Sequence, residues 1–481
     1  MLSFFRLNDP FRIIAILFIL VLLKLPMLTS GGPLTLLELN WMLVGERLAE
    51  GHVIYDQLFD NTGPLAAFVY WLIDITFGKS LLAYHIIAII LVTYQAFYFN
   101  LALIDIKMFN EKTYVPALMY VLFACISFEM LTLSPALMSL SFLILVLRNV
   151  IKLDSQSGEQ EIFKTGLYTG IATFLYLPSF LYLLAAVLGF ALFRTSSIRL
   201  LLNVVAGYVF VWIIMLLYFM YQNNLVGFYR CYVQSFFLSK TWMYTLKNTL
   251  VLFSFPAVLL AVSIFKLKTS RGFINYQQNG QWFVVLWTIF TLVVLILSPK
   301  FSGIQFIIFA PAFSFFVSQY LLLIKKNLMA EAQFIAISAI LVGIGYSMYF
   351  NIDDEKNDKE AFYEKILPVE DKLADNKRIM VLGNNISAYN HNSIATPFLN
   401  WKISQNYLGD LNEYPVIVNL KNSILEDKPD MIVDYTDDNL SKKIFDRIPL
   451  LFESYEFKKE GSVNTYTLLP QKNNPTAQAQ N

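Results

Sequence analysis

The chain has 481 residues, of which 57% are hydrophobic and only 15% are charged, and its formal net charge is +1. Soluble domains carry about 25% charged residues, so this composition excludes a soluble enzyme and a disordered protein. The balanced charge, with no basic tract, also excludes electrostatic binding of nucleic acid. The apolar runs are long and unbroken, which is typical of membrane helices rather than of a transmembrane barrel. We therefore predict a polytopic α-helical membrane protein that has membrane lipids, and no nucleic acid, among its partners.

Apolar runs close to the length of a spanning helix, about 20 residues, recur along the first 350 residues. They are Ile13–Leu28, Leu81–Ile104, Tyr114–Phe128, Pro135–Leu147, Gly166–Phe193, Leu200–Tyr221, Leu250–Phe265, Trp282–Leu297, Gly303–Ile324 and Phe334–Phe350. The run at Gly166–Phe193 is too long for one crossing and contains Leu177-Pro178. We interpret it as two short helices that form a hairpin, with one long tilted helix as the alternative. The total is then about eleven spans, and Lys24 in the first is expected to extend towards the membrane surface.

Lysine and arginine residues predict the orientation, because cytoplasmic loops carry an excess of both. With a cytoplasmic N-terminus, the cytoplasmic segments contain Arg6, Arg12, Lys107, Lys112, Arg148, Lys152, Lys164, Arg194, Arg199, Lys266, Lys268, Arg271, Lys325 and Lys326. The short loops on the other side contain only Arg230, Lys240, Lys247 and Lys300. An odd number of spans places the C-terminal part outside. We expect an integral protein of the cell (inner) membrane with an exoplasmic or periplasmic C-terminal domain.

The transmembrane bundle, residues 1–350, includes a long outer first loop at residues 31–79. An apolar stripe at helical spacing begins this loop and consists of Leu37, Trp41, Val44 and Leu48. The stripe predicts an amphipathic helix that lies on the outer membrane face. A second apolar helix, Leu65–Phe77, follows the turn at Asn61-Thr-Gly-Pro64.

The C-terminal part, residues 351–470, is polar and mixed in charge. Short β-branched runs predict strands at Arg378–Gly383, Met431–Tyr435 and Val463–Leu469. The segments Asn412–Glu426 and Leu440–Arg447 are expected to be helical. This alternation predicts a small α/β domain, followed by a disordered tail at residues 471–481.

Two consecutive segments of the first loop carry a family resemblance: Leu37-Glu-Leu-Asn-Trp-Met-Leu-Val-Gly-Glu-Arg-Leu-Ala-Glu-Gly51 and Tyr55-Asp-Gln-Leu-Phe-Asp-Asn-Thr-Gly-Pro64. They resemble the first outer loop of integral membrane glycosyltransferases of the GT-C fold, above all the protein mannosyltransferase and lipid A aminoarabinose transferase group. Looser similarities lie at Gly170–Pro178, at Phe301–Gln305 before Pro311, and at Arg378–Gly383.

The resemblance implies transfer of a sugar from a polyprenyl-phosphate donor, on the outer face, to an envelope or secreted acceptor that it does not identify. A first-loop carboxylate acts there as the base, and cationic groups hold the departing lipid phosphate. The candidate catalytic residues are Glu38 and Asp60. The candidate substrate-binding residues are Asp56, Arg230, Lys240, Lys300 and Gln305. A divalent cation is left open, although the three histidines have no metal-ligand spacing.

The sequence also departs from the family pattern. The family's aspartate aligns with Leu37, a lysine aligns with Tyr176, and a histidine aligns near Gln305. Either Glu38 or Asp60 takes over the role of base, or the chain is a catalytically inactive relative that acts as a membrane scaffold or as a subunit of an envelope assembly. Structural roles for both carboxylates stay open, because glutamate stabilises a helix N-terminus and aspartate caps turns. A transporter fits less well, because few ionisable residues lie within the spans.

Overall fold

The computed structural model describes a chain dominated by helices. It covers residues 1–29, 34–152, 158–193, 197–238, 240–242, 246–270, 272–350, 376–408, 411, 413–436, 438–449, 454–460 and 463–469. The predicted boundary at residue 351 and the predicted tail at residues 471–481 lie outside these ranges.

Fifteen α-helices precede residue 351 within the described part of the chain. They are α1 Leu2–Arg6, α2 Arg12–Thr29, α3 Leu36–Ala49, α4 Pro64–Phe77, α5 Leu81–Asp105, α6 Val115–Ala124, α7 Pro135–Ile151, α8 Glu159–Leu175, α9 Leu181–Phe193, α10 Ile198–Tyr221, α11 Leu225–Phe228, α12 Leu246–Thr269, α13 Asn275–Leu297, α14 Ala310–Leu322 and α15 Asn327–Phe350. Among the described residues, 6 helical segments are long and apolar enough to cross a membrane, and shorter apolar helices accompany them. The predicted polytopic helical bundle is confirmed.

The long apolar run between residues 166 and 193 is broken where the sequence predicted. Helix α8 ends at Leu175, and Tyr176 has an extended backbone (φ −144°, ψ 105°) before α9 begins at Leu181. Helix α8 also packs very closely on α10: a Cβ atom added at Gly166 would lie 1.9 Å from the carbonyl oxygen of Val204. Gly170, one turn later in α8, faces Val211, so the two helices run in the same direction. Helix α9 must therefore return between them, as the hairpin interpretation requires.

The two ends of α5 mark the two ends of the bundle, one with the positively charged loops and the other next to the C-terminal domain. The positively charged loops meet at one end through three contacts: Arg6 with Glu111 at 3.2 Å, Arg148 with Asp105 at 2.9 Å, and Gln277 with the carbonyl oxygen of Lys107 at 3.2 Å. At the other end, just before α5, Lys79 Nζ donates a hydrogen bond of 2.9 Å to the carbonyl oxygen of Tyr389 in the C-terminal domain.

Among its described residues, that domain contains a five-stranded sheet and three α-helices. The strands are β3 Arg378–Leu382, β4 Ser393–Ile394, β5 Met431–Asp434, β6 Tyr455–Glu460 and β7 Val463–Leu468; the helices are α16 Trp401–Tyr407, α17 Tyr414–Glu426 and α18 Leu440–Arg447. The strand order is β4-β3-β5-β7-β6, with β3 parallel to both neighbours and β7 antiparallel to both of its own. The pattern of apolar residues missed two strands, because β4 has only two residues and the edge strand β6 is charged. Two further short strands, β1 Thr241–Trp242 and β2 Lys300–Phe301, pair in parallel within the bundle.

Helix α3 forms as predicted, but its position differs from the expectation of a helix on the membrane face. Leu37 and Trp41 pack into the core of the bundle, whereas Leu39 and Leu43 pack against the sheet. Both faces of the helix are therefore buried. The reason is that its polar-looking side also contains leucines, and the sheet domain covers that side. Helix α3 is the middle layer that joins the bundle to the sheet domain.

Candidate functional site

Two spaces lie at the end of the bundle next to the sheet domain. One is a cavity of about 80 Å³ between α3, the turn before α4, the break after α8 and the residues after α13. The other is a cleft of about 1100 Å³ between the first loop, residues 223–238 and helices α16 and α17. We call them the cavity and the cleft.

Two segments separate the cavity from the cleft, and we call them the dividing wall. In the first segment, Asp56 and Phe59 line the cleft while Asn61 and Thr62 line the cavity. In the second segment, residues 230–236, Arg230 and Gln234 line the cleft, whereas Tyr232, Ser235 and Phe236 line the cavity. The wall is therefore only about one segment of chain thick.

Aromatic packing fixes the wall in place. Tyr55 is 1% exposed, its hydroxyl donates a hydrogen bond of 2.5 Å to the carbonyl oxygen of Thr62, and its ring contacts Phe228 and Tyr232. Gly63 is needed at the end of the first segment, because a Cβ atom there would lie 2.3 Å from the carbonyl oxygen of Phe174. The turn thus rests directly on the C-terminal end of α8.

Asp60 lies inside the dividing wall and is fully buried. Its Oδ1 accepts a hydrogen bond of 2.7 Å from the backbone N–H of Thr62, and its Oδ2 accepts one of 3.1 Å from Asn40 Nδ2. Asn40 and Thr62 both line the cavity, and Phe59, the residue before Asp60, lines the cleft. Asp60 is thus a carboxylate that separates the two spaces.

Glu38 lies on another side of α3 and does not line the cavity, whereas its neighbour Leu37 does. Glu38 forms a capping box with Thr35, and its Oε1 lies 2.9 Å from His85 Nε2. Burial alone would raise the pKa of Glu38, but the hydrogen bonds from His85 and Thr35 hold it below its usual value. These contacts give Glu38 a structural role in anchoring α3 to α5.

The side chain of Lys24, which lies near Glu38, does not take the predicted position. It was expected to extend towards the membrane surface, but its side chain is 2% exposed and its Nζ donates a hydrogen bond of 2.9 Å to the carbonyl oxygen of Phe128. The nearby carboxylates of Glu38 and Glu129 make this buried position tolerable for an ammonium group.

Lys300 and Gln305 are the two predicted substrate-binding residues that line the cavity. Gln305 Oε1 accepts a hydrogen bond of 2.9 Å from the backbone N–H of Ser302, which positions the turn. Lys402 on α16 is a cation that the sequence analysis missed. Burial, and secondarily the positive charge of Lys300, hold the pKa of Lys402 below its usual value. Two ammonium groups are therefore close to each other at this end of the bundle.

The other three predicted residues lie elsewhere. Asp56 and Arg230 line the cleft, where the Arg230 guanidinium lies 5.5 Å from the centre of the Tyr407 ring. Lys240 lines neither space, and its Nζ donates a hydrogen bond of 2.6 Å to the carbonyl oxygen of Ile296. The seven predicted residues are thus divided between the cavity, the cleft, the wall and two positions outside them.

The cavity also contains residues that the sequence analysis did not select. Asn40 and Trp41 face it together with Leu37, at the i, i+3, i+4 spacing of one helix face. Tyr176, whose hydroxyl lies 2.8 Å from Ser298 Oγ, lines the cavity at the break after α8. Helical spacing from Leu37 was the signal that identifies Asn40. No Asp or Glu is among the described residues that line the cavity.

Among the described residues, no three His, Cys, Asp or Glu side chains come together at a distance suitable for a metal ion.

No protein-family model matches this chain, and no curated protein sequence matches it. Solved structures do match. ArnT from Cupriavidus metallidurans bound to undecaprenyl phosphate is 12% identical with a TM-score of 0.57, covering 95% of this chain and 98% of that one. The same protein in the apo state is 11% identical with a TM-score of 0.52, covering 90% and 94%. The apo oligosaccharyltransferase of Archaeoglobus fulgidus is 11% identical with a TM-score of 0.47, covering 96% and 75%, which is too low to support a fold assignment. The arrangement of helices and sheet, together with the two ArnT structures, shows that the chain has the GT-C fold.

Proposed function

We propose that this protein is a membrane glycosyltransferase that moves a sugar from a polyprenyl-phosphate carrier to an acceptor. The observation that carries the proposal is the position of Asp60, a buried carboxylate inside the wall between the cavity and the cleft. A donor in one space and an acceptor in the other would meet at this carboxylate. The ArnT neighbour was solved with undecaprenyl phosphate, which supports a polyprenyl carrier.

The reaction needs one base and one group that accepts negative charge. Asp60 takes the proton from an acceptor hydroxyl, and the acceptor oxygen forms a bond to the anomeric carbon of the sugar. The bond between that carbon and the phosphate oxygen breaks, and its electron pair leaves with the polyprenyl phosphate. Asn40 and the backbone N–H of Thr62 hold the Asp60 carboxylate in a fixed orientation through this step.

The departing phosphate is stabilised by Lys300 and Lys402. Burial and, secondarily, the positive charge of Lys300 lower the pKa of Lys402. Both side chains are cations, and charge-assisted hydrogen bonds to a phosphate would favour their charged forms. Lys240 directly precedes strand β1, which pairs with β2, the strand that begins at Lys300.

The two ends of the bundle support the predicted orientation. Positive residues concentrate at the end away from the sheet domain, and such residues mark the cytoplasmic side. The proposal therefore places the cavity, the cleft and the sheet domain on the exoplasmic or periplasmic side, where the acceptor is an envelope or secreted molecule.

The test uses cells that depend on this protein and compares their surface glycans by mass spectrometry. Asp60→Asn keeps the size of the side chain and removes the base, so we expect the protein-dependent glycan to fall at least about a hundredfold, the lower end of the contribution of a positioned base. Asp446→Asn is the matched control and should leave the glycan unchanged, because Asp446 is an exposed carboxylate that lines neither space. Glu38→Gln tests the second predicted base.

Membrane levels of each variant and its binding of undecaprenyl phosphate show that the protein is still folded. Full glycan transfer by Asp60→Asn would refute the assignment of Asp60, and full transfer by the double variant Glu38→Gln/Asp60→Asn would refute the catalytic mechanism.

A catalytically inactive GT-C relative is the second candidate, and a separate observation favours it. Leu37 lines the cavity at the position where the related enzymes have aspartate, and none of the described lining residues is a carboxylate. In addition, about 80 Å³ holds a few water molecules but no sugar phosphate, so a donor has to widen the cavity. If the protein is an inactive scaffold, deletion of the gene should abolish the protein-dependent surface glycan, whereas no substitution in the wall should change it.

A further inference from the structure

The cleft has a chemistry of its own that the donor reaction does not use. Its volume of about 1100 Å³ exceeds that of the cavity more than tenfold, and it opens between the first loop and the sheet domain. Side-chain amides from four different segments line it: Gln57, Asn223, Asn224, Gln234, Asn406, Asn419 and Asn422. An amide offers both donors and acceptors, which suits hydroxyl groups that themselves donate and accept hydrogen bonds.

Helix α17 shows how this lining is built. Ile417, Leu420 and Ile424 face the core of the sheet domain. Asn419 and Asn422 are exposed on another side of the helix and line the cleft, as does Glu413, the residue just before the helix. The polar side of an ordinary surface helix would face open solvent, but here it faces the first loop across a concave space. Tyr407 adds an aromatic ring, with Arg230 stacked on it.

The charges in the cleft are unfavourable for an anion. Asp427 and Arg47 neutralise each other, because their side chains form a buried ion pair at 2.7 Å. The remaining carboxylates on the cleft are Asp56, Glu413 and Glu426, and they outnumber the Arg230 guanidinium. The lining therefore repels phosphate groups, in contrast to the lysine pair near the cavity.

We propose that the cleft binds an uncharged, polyhydroxylated chain, an oligosaccharide, and discriminates against phosphorylated glycans. The identification of this oligosaccharide as the acceptor rests on the proposed function, since Asp60 lies inside the wall next to the cleft; the binding itself does not. The acceptor class is thus a neutral glycan.

Binding is measured without any donor, so that it is independent of turnover. The probes are fluorescently labelled linear tetrasaccharides of glucose, mannose and N-acetylglucosamine, each with a phosphorylated counterpart, and the readout is fluorescence polarisation with the full-length protein in detergent. We expect at least one neutral probe to bind and its phosphorylated form to bind at least about tenfold more weakly. Asn419→Leu/Asn422→Leu should weaken the neutral probe about tenfold through loss of two or more hydrogen bonds.

Charge reversal gives a test that improper folding cannot imitate. Glu413→Lys/Glu426→Lys should allow the phosphorylated probe to bind. The matched control is Asp446→Lys/Glu456→Lys, which reverses two exposed carboxylates of the same domain away from the cleft and should change nothing. The proposal is overturned if no neutral probe binds, if both forms bind equally, or if the control variant gains the same affinity. The binding assay uses the wild type without donor, so failure of Asp60→Asn to lose glycan transfer and failure of the wild type to bind a neutral probe are separate and distinguishable results.

Discussion

Replacement of Arg47 tests whether α3 fastens the sheet domain to the bundle. The Arg47 side chain is 2% exposed and forms ion pairs with Asp427 at 2.7 Å and Glu50 at 2.9 Å, and it donates a hydrogen bond of 3.2 Å to the carbonyl oxygen of Ile394. Arg47→Met keeps the aliphatic part but leaves the Asp427 carboxylate, 8% exposed, with Arg378 as its remaining cation. Removal of one partner of a buried ion pair costs about 3–5 kcal/mol. The retained contact with Arg378 favours the lower end, about 3 kcal/mol.

The assay follows the sheet domain separately from the bundle. Pulse proteolysis across a denaturant series, in detergent micelles, gives the free energy of opening of the C-terminal domain for each variant. Arg378→Met is the control, because its side chain is 47% exposed and a pair at such a site contributes about 1 kcal/mol or less. Arg47→Met/Asp427→Leu should recover part of the loss, because the buried carboxylate that lost Arg47 is also removed. The reasoning would be refuted by a change below about 0.5 kcal/mol in Arg47→Met, or by equal effects of Arg47→Met and Arg378→Met.

Three further predictions concern residues around the cavity. Glu38→Gln should destabilise the protein near neutral pH. Because the pKa of Glu38 is lower in the folded than in the unfolded state, the stability that its carboxylate contributes to the wild type should be lost as the pH falls below about 4.5. Melting temperatures of the two proteins, measured across pH 3–8, should therefore converge at low pH. Gly63→Val should lower the melting temperature by several degrees, since a Cβ atom there overlaps the carbonyl oxygen of Phe174, whereas Gly78→Val, with nothing within 4 Å and a positive φ, should suffer only backbone strain. Lys300→Ala should raise the pKa of Lys402, because the substitution removes a nearby positive charge. NMR titration of ¹³C-methylated lysines measures this pKa, and an unchanged value would contradict the proximity of the two ammonium groups.

The sequence alone predicted the features that depend on local pattern. Long apolar runs gave the helical membrane bundle, because a helix needs about 20 such residues to cross. The break at Leu177-Pro178 gave the hairpin, since proline cannot continue a helix without loss of a hydrogen bond. Short β-branched runs predicted three of the five strands of the sheet, and only the very short strand β4 and the charged edge strand β6 were missed.

The tertiary structure decided where the predicted residues point. Glu38 and Leu37 are adjacent in the chain, and the helix turns one towards His85 and the other into the cavity. No spacing within the first loop shows which neighbour faces the cavity, because that depends on the sheet domain that covers the other side of α3. Lys300 and Lys402 are about a hundred residues apart, and Asp60 separates two spaces whose opposite walls come from α8 and α17. Local periodicity fixes which face of an element a residue occupies, but long-range packing alone determines what that face meets.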